Sequence, residues 1–238
     1  YRPWHDIQDG RPTLGWAIID VMFNIPLLYW AGEESGDPRF SQIAMMHADT
    51  VMEYFIRQDG SSEHIVEFVL VSGAKVKAYG GQGYGDGSAW TGGQTWAMYG
   101  FMMSYIHTGK KEYLDTAKRV AHYFIANISE SGLIPVDFRQ PAEPAWEDST
   151  AAAIAASGLI ELAKYVGESE KALYLNAAIR LLKALSEQRC CFDDTNDCIL
   201  EKCTAAYHSN EHEFSFIYGD YFFIEAMFKL GGSDLFLW

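Results

Sequence analysis

Positive charge is scarce in this chain. Its 238 residues hold 18 lysines and arginines against 32 aspartates and glutamates, a formal net charge of −14 at pH 7. So acidic a surface repels phosphate backbones and anionic headgroups, which argues against nucleic acid and membrane surfaces as partners. Cysteine is scarce too, and Cys190, Cys191, Cys198 and Cys203 crowd into one short stretch. The adjacent Cys190 and Cys191 suit neither a disulfide framework nor a zinc spacing. The four read as free thiols of a reducing, cytoplasmic compartment, with one local pair as the alternative. No apolar run reaches the ~18 residues of a membrane-spanning helix. Tyr1 to Gly10, with Arg2, Asp6 and Asp9, does not read as a signal peptide. Gly-x-Ser-x-Gly and His-Glu-x-x-His are both absent. Serine-nucleophile and metal-assisted chemistry therefore have no support, and no metal or cofactor is expected.

What is abundant is apolar and aromatic. Hydrophobic residues make up 49% of the chain and aromatics 15%, enough for a large core in a single domain over residues 1–238. Apolar periodicity predicts helices at Trp16–Trp30, Phe40–Ile56, Trp90–Thr108, Glu112–Ile128, Ala151–Val166, Leu173–Gln188 and Ile217–Leu230. The first is apolar almost all round, with Asp20 and Asn24 as polar exceptions on one face. Gly36-Asp37-Pro38 and Gly109 punctuate similar helix pairs. Phe40…Ala44…Ala48, Tyr113…Ala117…Ala121 and Tyr174…Ala178 share an aromatic-then-small pattern. Repeated hairpins of one very apolar and one amphipathic helix imply an inner and an outer layer, an all-α toroid or solenoid. An irregular helical bundle is the alternative.

Between helices, His64–Val71 and Lys75–Tyr79 read as a β-hairpin across Ser72-Gly73. Gly80–Gly87 is a glycine-dense loop before a helix, with Ser88 as the expected N-cap. It lacks Gly-Lys-Ser/Thr, so it reads as backbone approaching a ligand closely rather than as a nucleotide site. Asp20 is the leading candidate for chemistry, because burial of a carboxylate favours the protonated form that a general acid needs. The competing reading is an Asp satisfied by neighbouring groups. His64 alone is compatible with a packed histidine, and Trp90 and Trp96 with core or with sugar stacking. Asp148-Ser149 reads as a structural helix cap, and Asp220 is ambiguous. Carboxylate chemistry beside aromatic and amide side chains suits a carbohydrate.

The run Gln82-Gly-Tyr-Gly-Asp-Gly-Ser-Ala-Trp90-Thr-Gly-Gly-Gln-Thr-Trp96 resembles the signature of the unsaturated glucuronyl hydrolases, glycoside hydrolase family 88. Ile18–Trp30 is similar to that family's catalytic helix, His64–Gly73 to its β-hairpin, and Ile217–Phe222 to its last helix. The resemblance implies an incomplete (α/α)6 barrel resembling the C-terminal two-thirds of the family fold. It also implies missing N-terminal hairpins and an exposed barrel edge that invites self-association. The activity it implies is removal of a 4,5-unsaturated uronic acid from glycosaminoglycan oligosaccharides left by lyases. An aspartic acid protonates C4 of the enol ether and water adds at C5, unlike the usual two-carboxylate displacement. By motif match Asp20 is that acid/base, and His64, Gln82, Trp90 and Trp96 line the sugar subsite. Tyr207-His208-Ser209 is a candidate for reaching the next sugar.

Three departures stand out. Gly81 stands where the family usually has His, and Gly92 where it has Arg. A second family aspartate lies upstream of the matched motifs. Loss of an Arg beside a substrate carboxylate costs about 1–3 kcal/mol. The alternatives are an unsaturated rhamnogalacturonyl hydrolase and, in another class, a non-catalytic carbohydrate-binding protein.

Overall fold

The computed structural model describes residues 13–193 and 196–233; the Tyr1–Gly10 segment lies outside the described residues. Among the described residues three helical hairpins follow one another. They are α1 (Pro26–Ser35) with α2 (Pro38–Tyr54), α3 (Thr91–Thr108) with α4 (Lys111–Ala126), and α5 (Ser149–Lys164) with α6 (Glu168–Gln188). A last helix, α7 (Ile217–Leu230), packs on α5. Gly36 and Gly109 end the first helix of the first two pairs in the left-handed conformation, and Asp37 caps α2 by accepting the Arg39 N–H.

The layering follows from side-chain size and polarity. Helix α5 is buried at every position from Ser149 to Ala163, and α3 over most of its length. Helices α2, α4 and α6 are amphipathic, and the repeated small residues form the faces they turn inward. Ala44, Ala48, Tyr113, Ala117, Ala121, Tyr174 and Ala178 have no exposed surface, whereas Phe40 is 37% exposed. Small residues on a buried stripe let helices approach closely, and the flanking tyrosines fill the space between layers. The result is an arc of an α/α toroid, with α3, α5 and α7 inside and α2, α4 and α6 outside. All four cysteines are free. No described helix is long and apolar enough to cross a membrane.

One predicted helix is corrected. Trp16–Trp30 is instead a strand β1 (Trp16–Ile18), a 3-10 turn (Ile19–Phe23) and then α1. Pro26 has no N–H to continue a helix and disfavours helical backbone before it. The β-branched Ile18, Ile19 and Val21 favour extended and tight backbone. Strand β1 joins β2 (Ile65–Phe68) and β3 (Lys75–Tyr79) in one antiparallel sheet of order β1-β2-β3. Trp16 stacks on Tyr79 across it at 4.8 Å. Apolar surface remains at the margins of the arc, on Leu27 and Trp30 of α1 and on Met227 and Phe228 of α7. Phe192 joins the α7 side in a groove of about 660 Å³.

A buried ionic cluster ties the inner layer together. Lys229 on α7 donates to Tyr99 Oη on α3 and, at 3.1 Å, to Ser157 Oγ on α5. It lies 3.5 Å from both Glu161 and Glu225, all three side chains being almost wholly buried. Tyr99 and Ser157 in turn donate to Glu225. Glu161 has a second cation, Lys164 at 3.1 Å, so Lys229→Met removes the ammonium that Glu225 faces and leaves it the Tyr99, Ser157 and Tyr221 hydroxyls. Breaking one side of a buried pair costs about 3–5 kcal/mol. Lys229→Met should lower the unfolding free energy from urea titration by about that much without changing the slope; an unchanged midpoint would show that the inner layer does not depend on the Lys229 ammonium.

Candidate active site

The site is built where the sheet ends. Strand β1 pairs with β2 so that Ala17 faces Val66 and Ile18 faces Ile65. One step further the Ile19 N–H donates to the His64 carbonyl at 2.9 Å. The chain then tightens into the 3-10 turn, and Asp20 emerges beside His64. Asp20 Oδ2 lies 3.3 Å from His64 Nε2. The approach is a close contact rather than a formed hydrogen bond, and neither atom has a hydrogen-bond partner among the described residues. The His64 side chain is 4% exposed and that of Asp20 29%, so the histidine stands behind the carboxylate and the carboxylate faces the cleft.

Asp20 lines two neighbouring spaces that share Trp96 and Tyr218 as walls. An outer cleft of about 650 Å³ is lined by Asp20, Asn24, Trp96, Tyr218, Tyr221 and Phe222, among others. A smaller inner space of about 100 Å³ is lined by Asp20, Gln82, Trp90, Trp96, Asp148 and Tyr218, with Gly92 and Thr150. Trp96 belongs to both and is wedged against Phe23 at 5.2 Å and Phe222 at 5.8 Å. Among the described residues no lysine or arginine lines either space. The fold thus brings Asp20, Gln82, Trp90 and Trp96 to one cleft. His64, expected on the sugar-facing wall, lines neither space and backs Asp20 instead.

The glycine loop is braced from below. Buried Asp137 accepts the N–H groups of Tyr84, Ala89 and Arg139. Ser88, expected to cap α3, instead accepts the Gly85 N–H, and the capping position is Trp90, with no side-chain cap. The loop delivers the Gln82 N–H to His64 Nδ1 at 2.9 Å. The Gln82 side-chain amide donates to the Ala205 carbonyl, and the Gln82 backbone carbonyl accepts the Tyr207 N–H. Tyr207 and His208 pack on Tyr84; they support the loop and line neither space. Asp220 accepts the N–H groups of Ile199 and Leu200, which makes it a structural brace.

Asp148, which the sequence marks as a helix cap, does cap α5 through the Thr150 N–H, with Thr204 N–H as a second donor. Its place on the wall of the inner space depends on how α5 meets the 204–216 segment, which no local signal carries. Burial pushes its carboxyl up to about 7, against the opposing pull of those donors.

A helical toroid whose inner layer opens on an aromatic-walled, carboxylate-bearing cleft is the kind of scaffold that handles sugars. The comparisons make the kinship specific. The chain is a homologue of the unsaturated glucuronyl hydrolases. It is 37% identical over 236 residues to an unsaturated glucuronyl hydrolase of Bacillus sp. (strain GL1), covering 96% of this chain and 61% of that protein. It is 31% identical over 237 residues to an unsaturated chondroitin disaccharide hydrolase of Streptococcus pneumoniae, covering 95% and 58%. The crystal structure of the Bacillus sp. GL1 enzyme superposes with a TM-score of 0.87 at 35% identity, over 97% of this chain and 61% of that one. A Streptococcus agalactiae unsaturated glucuronyl hydrolase complexed with dGlcA-GalNAc6S superposes with a TM-score of 0.79 at 29% identity, over 90% and 58%. No family model matches the chain. The chain spans about three fifths of the length of these relatives.

Asp148 gives a test of the site's electrostatics. The folded chain holds its proton until about pH 7, whereas the unfolded chain releases it near 3.8. Stability from this group is therefore full below pH 4 and is lost as pH rises to about 7, by ~4 kcal/mol. Asp148→Asn keeps an acceptor for Thr150 and Thr204 and should flatten that decline in urea midpoints measured from pH 4 to 8.

Proposed function

We propose that this chain carries the unsaturated glucuronyl hydrolase reaction. It would remove a 4,5-unsaturated uronic acid from the non-reducing end of glycosaminoglycan oligosaccharides, with Asp20 as acid and base. The observation that supports this most is Asp20 on the wall of both spaces, faced by His64 Nε2 at 3.3 Å. The names of the relatives favour a glucuronyl over a rhamnogalacturonyl substrate.

In this reading Asp20 gives its proton to C4 as the C4–C5 π electrons form the new C–H bond. The cation left at C5 is stabilised by the ring oxygen. Water adds at C5 and returns a proton to the Asp20 carboxylate, so the group is regenerated. The resulting hemiketal opens and releases the leaving sugar. Trp96 would offer its face to a ring, with Gln82 and Trp90 lining the deeper side. Among the described residues no guanidinium lines the cleft to meet the substrate carboxylate, Gly92 providing none. Neutral donors such as Asn24 and Tyr218 remain to receive it.

Two experiments test this reading. The conjugated enol ether of an unsaturated hyaluronan or chondroitin disaccharide absorbs in the ultraviolet and its hydrated product does not. The chain should bleach that absorbance, and Asp20→Asn should slow bleaching by about 10²–10⁴-fold. Saturable binding of the disaccharide with no bleaching would overturn the enzyme reading in favour of a carbohydrate-binding protein. The second test uses charge. An anionic sugar approaching a chain of net charge −14 is repelled at long range. Added salt should then raise kcat/KM severalfold between roughly 10 and 150 mM, whereas a cation-lined site would give the opposite slope.

A further inference from the structure

Of the two glycines that depart from the family pattern, Gly81 lies against His64 and Gly92 against Trp90, whose ring packs on that histidine. Gly81 has φ +57, and a Cβ on residue 81 would stand 1.8 Å from His64 Nδ1. At Gly92 a Cβ would stand 2.6 Å from Trp90 Cζ2. The Trp90 ring so accommodated packs on the His64 ring at a centroid distance of 4.6 Å. The absence of a side chain at 81 lets the loop backbone close on His64, and its absence at 92 lets the indole lie down beside it.

The closure has a chemical consequence. The Gln82 N–H donates to His64 Nδ1 at 2.9 Å. A nitrogen that accepts a hydrogen bond carries no proton, so neutral His64 holds its proton on Nε2. Nε2 is the atom that faces Asp20 Oδ2. The opposite tautomer would set a lone pair against the carboxylate and an N–H against the Gln82 N–H, both repulsive.

We infer that Gly81 and Gly92 are positioning residues, forming a seat that locks His64 in the Nε2–H tautomer against Asp20. This rests on the role of Asp20 proposed above. In that role the seat presents a fixed donor to the carboxylate each time Asp20 gives up its proton. It also keeps the rear of Asp20 free of any base that would compete for the proton. A side chain at either position displaces one wall of the seat. The family's usual residues at 81 and 92 are thus incompatible with this arrangement of His64 and Trp90.

The experiment is long-range proton–nitrogen correlation of the histidine rings in the full chain. Spectra are taken at alkaline pH, where imidazole is neutral, with His64 assigned by loss of its signals in His64→Gln. The wild-type ring should show one tautomer, protonated on Nε2. Gly81→Ala should mix the tautomers and lower kcat on the order of 10²-fold, as a misplaced catalytic group does, with KM within twofold. Gly92→Ala should shift the same signals in the same direction through Trp90. In a His64→Ala background the Cβ at 81 has no ring to strike, so Gly81→Ala should lower kcat little further. A wild-type ring protonated on Nδ1 overturns the proposal, as does an unmixed Nε2–H tautomer in folded Gly81→Ala. The wild-type spectrum decides even where a variant fails to fold. It needs no turnover, so a failure of the lock and a failure of the hydrolase reading are separately visible.

Discussion

Everything in this molecule is hung on a helix that can be buried on all sides because its residues are small. Helix α5 touches α3, α6 and α7, and a run of alanines with Ser157 and Gly158 lets each neighbour come close. Complete burial has an electrostatic cost, met at three polar points. Asp148 satisfies the N-terminal N–H groups, while Ser157 and Glu161 join the Lys229 cluster. The first of these points lies on the wall of the inner space and the others fix α7, which carries Tyr218 to the cleft. Packing of one helix therefore sets both the stability of the inner layer and the far wall of the site.

The architecture was legible because layering is written in residue size and periodicity. The aromatic-then-alanine pattern of α2, α4 and α6 is the inward face, and six of the seven predicted helices form close to their predicted bounds. The Trp16–Trp30 stretch was misread for a definite reason. A segment buried on most sides loses the alternation that separates strand from helix, and only Pro26 hinted at the break. That misreading did not hide Asp20, since an acid in an apolar run is conspicuous whatever the backbone does. It did hide why Asp20 meets His64, which is the pairing of β1 with β2.

Other parts of the site could not be read locally. Asp137 braces the glycine loop from more than fifty residues away. Tyr99, Glu161, Glu225 and Lys229 meet only once three helices are assembled. Ser88 was a plausible cap by type, yet the loop claimed its hydroxyl first. In each case a polar side chain had several possible partners, and the choice was made by tertiary packing rather than by neighbours in sequence.

The same distinction separates the margins of the arc from its centre. Apolar side chains stand exposed on α1 and α7, so those faces are energetically unfinished among the described residues. The groups that set Asp20 are not at those faces. Ile19 is bonded to His64, His64 to the Gln82 backbone, and Gln82 to Ala205 and Tyr207; Asp137 fixes the loop beneath them. Each link in that chain is a hydrogen bond between buried or half-buried groups, where an unmade bond costs most. A carboxylate in the role proposed for Asp20 needs its immediate supports held more tightly than the scaffold's outline. Here those supports close on one another within the β1–β2 edge, the glycine loop and the start of α3, independently of what covers the outer faces of α1 and α7.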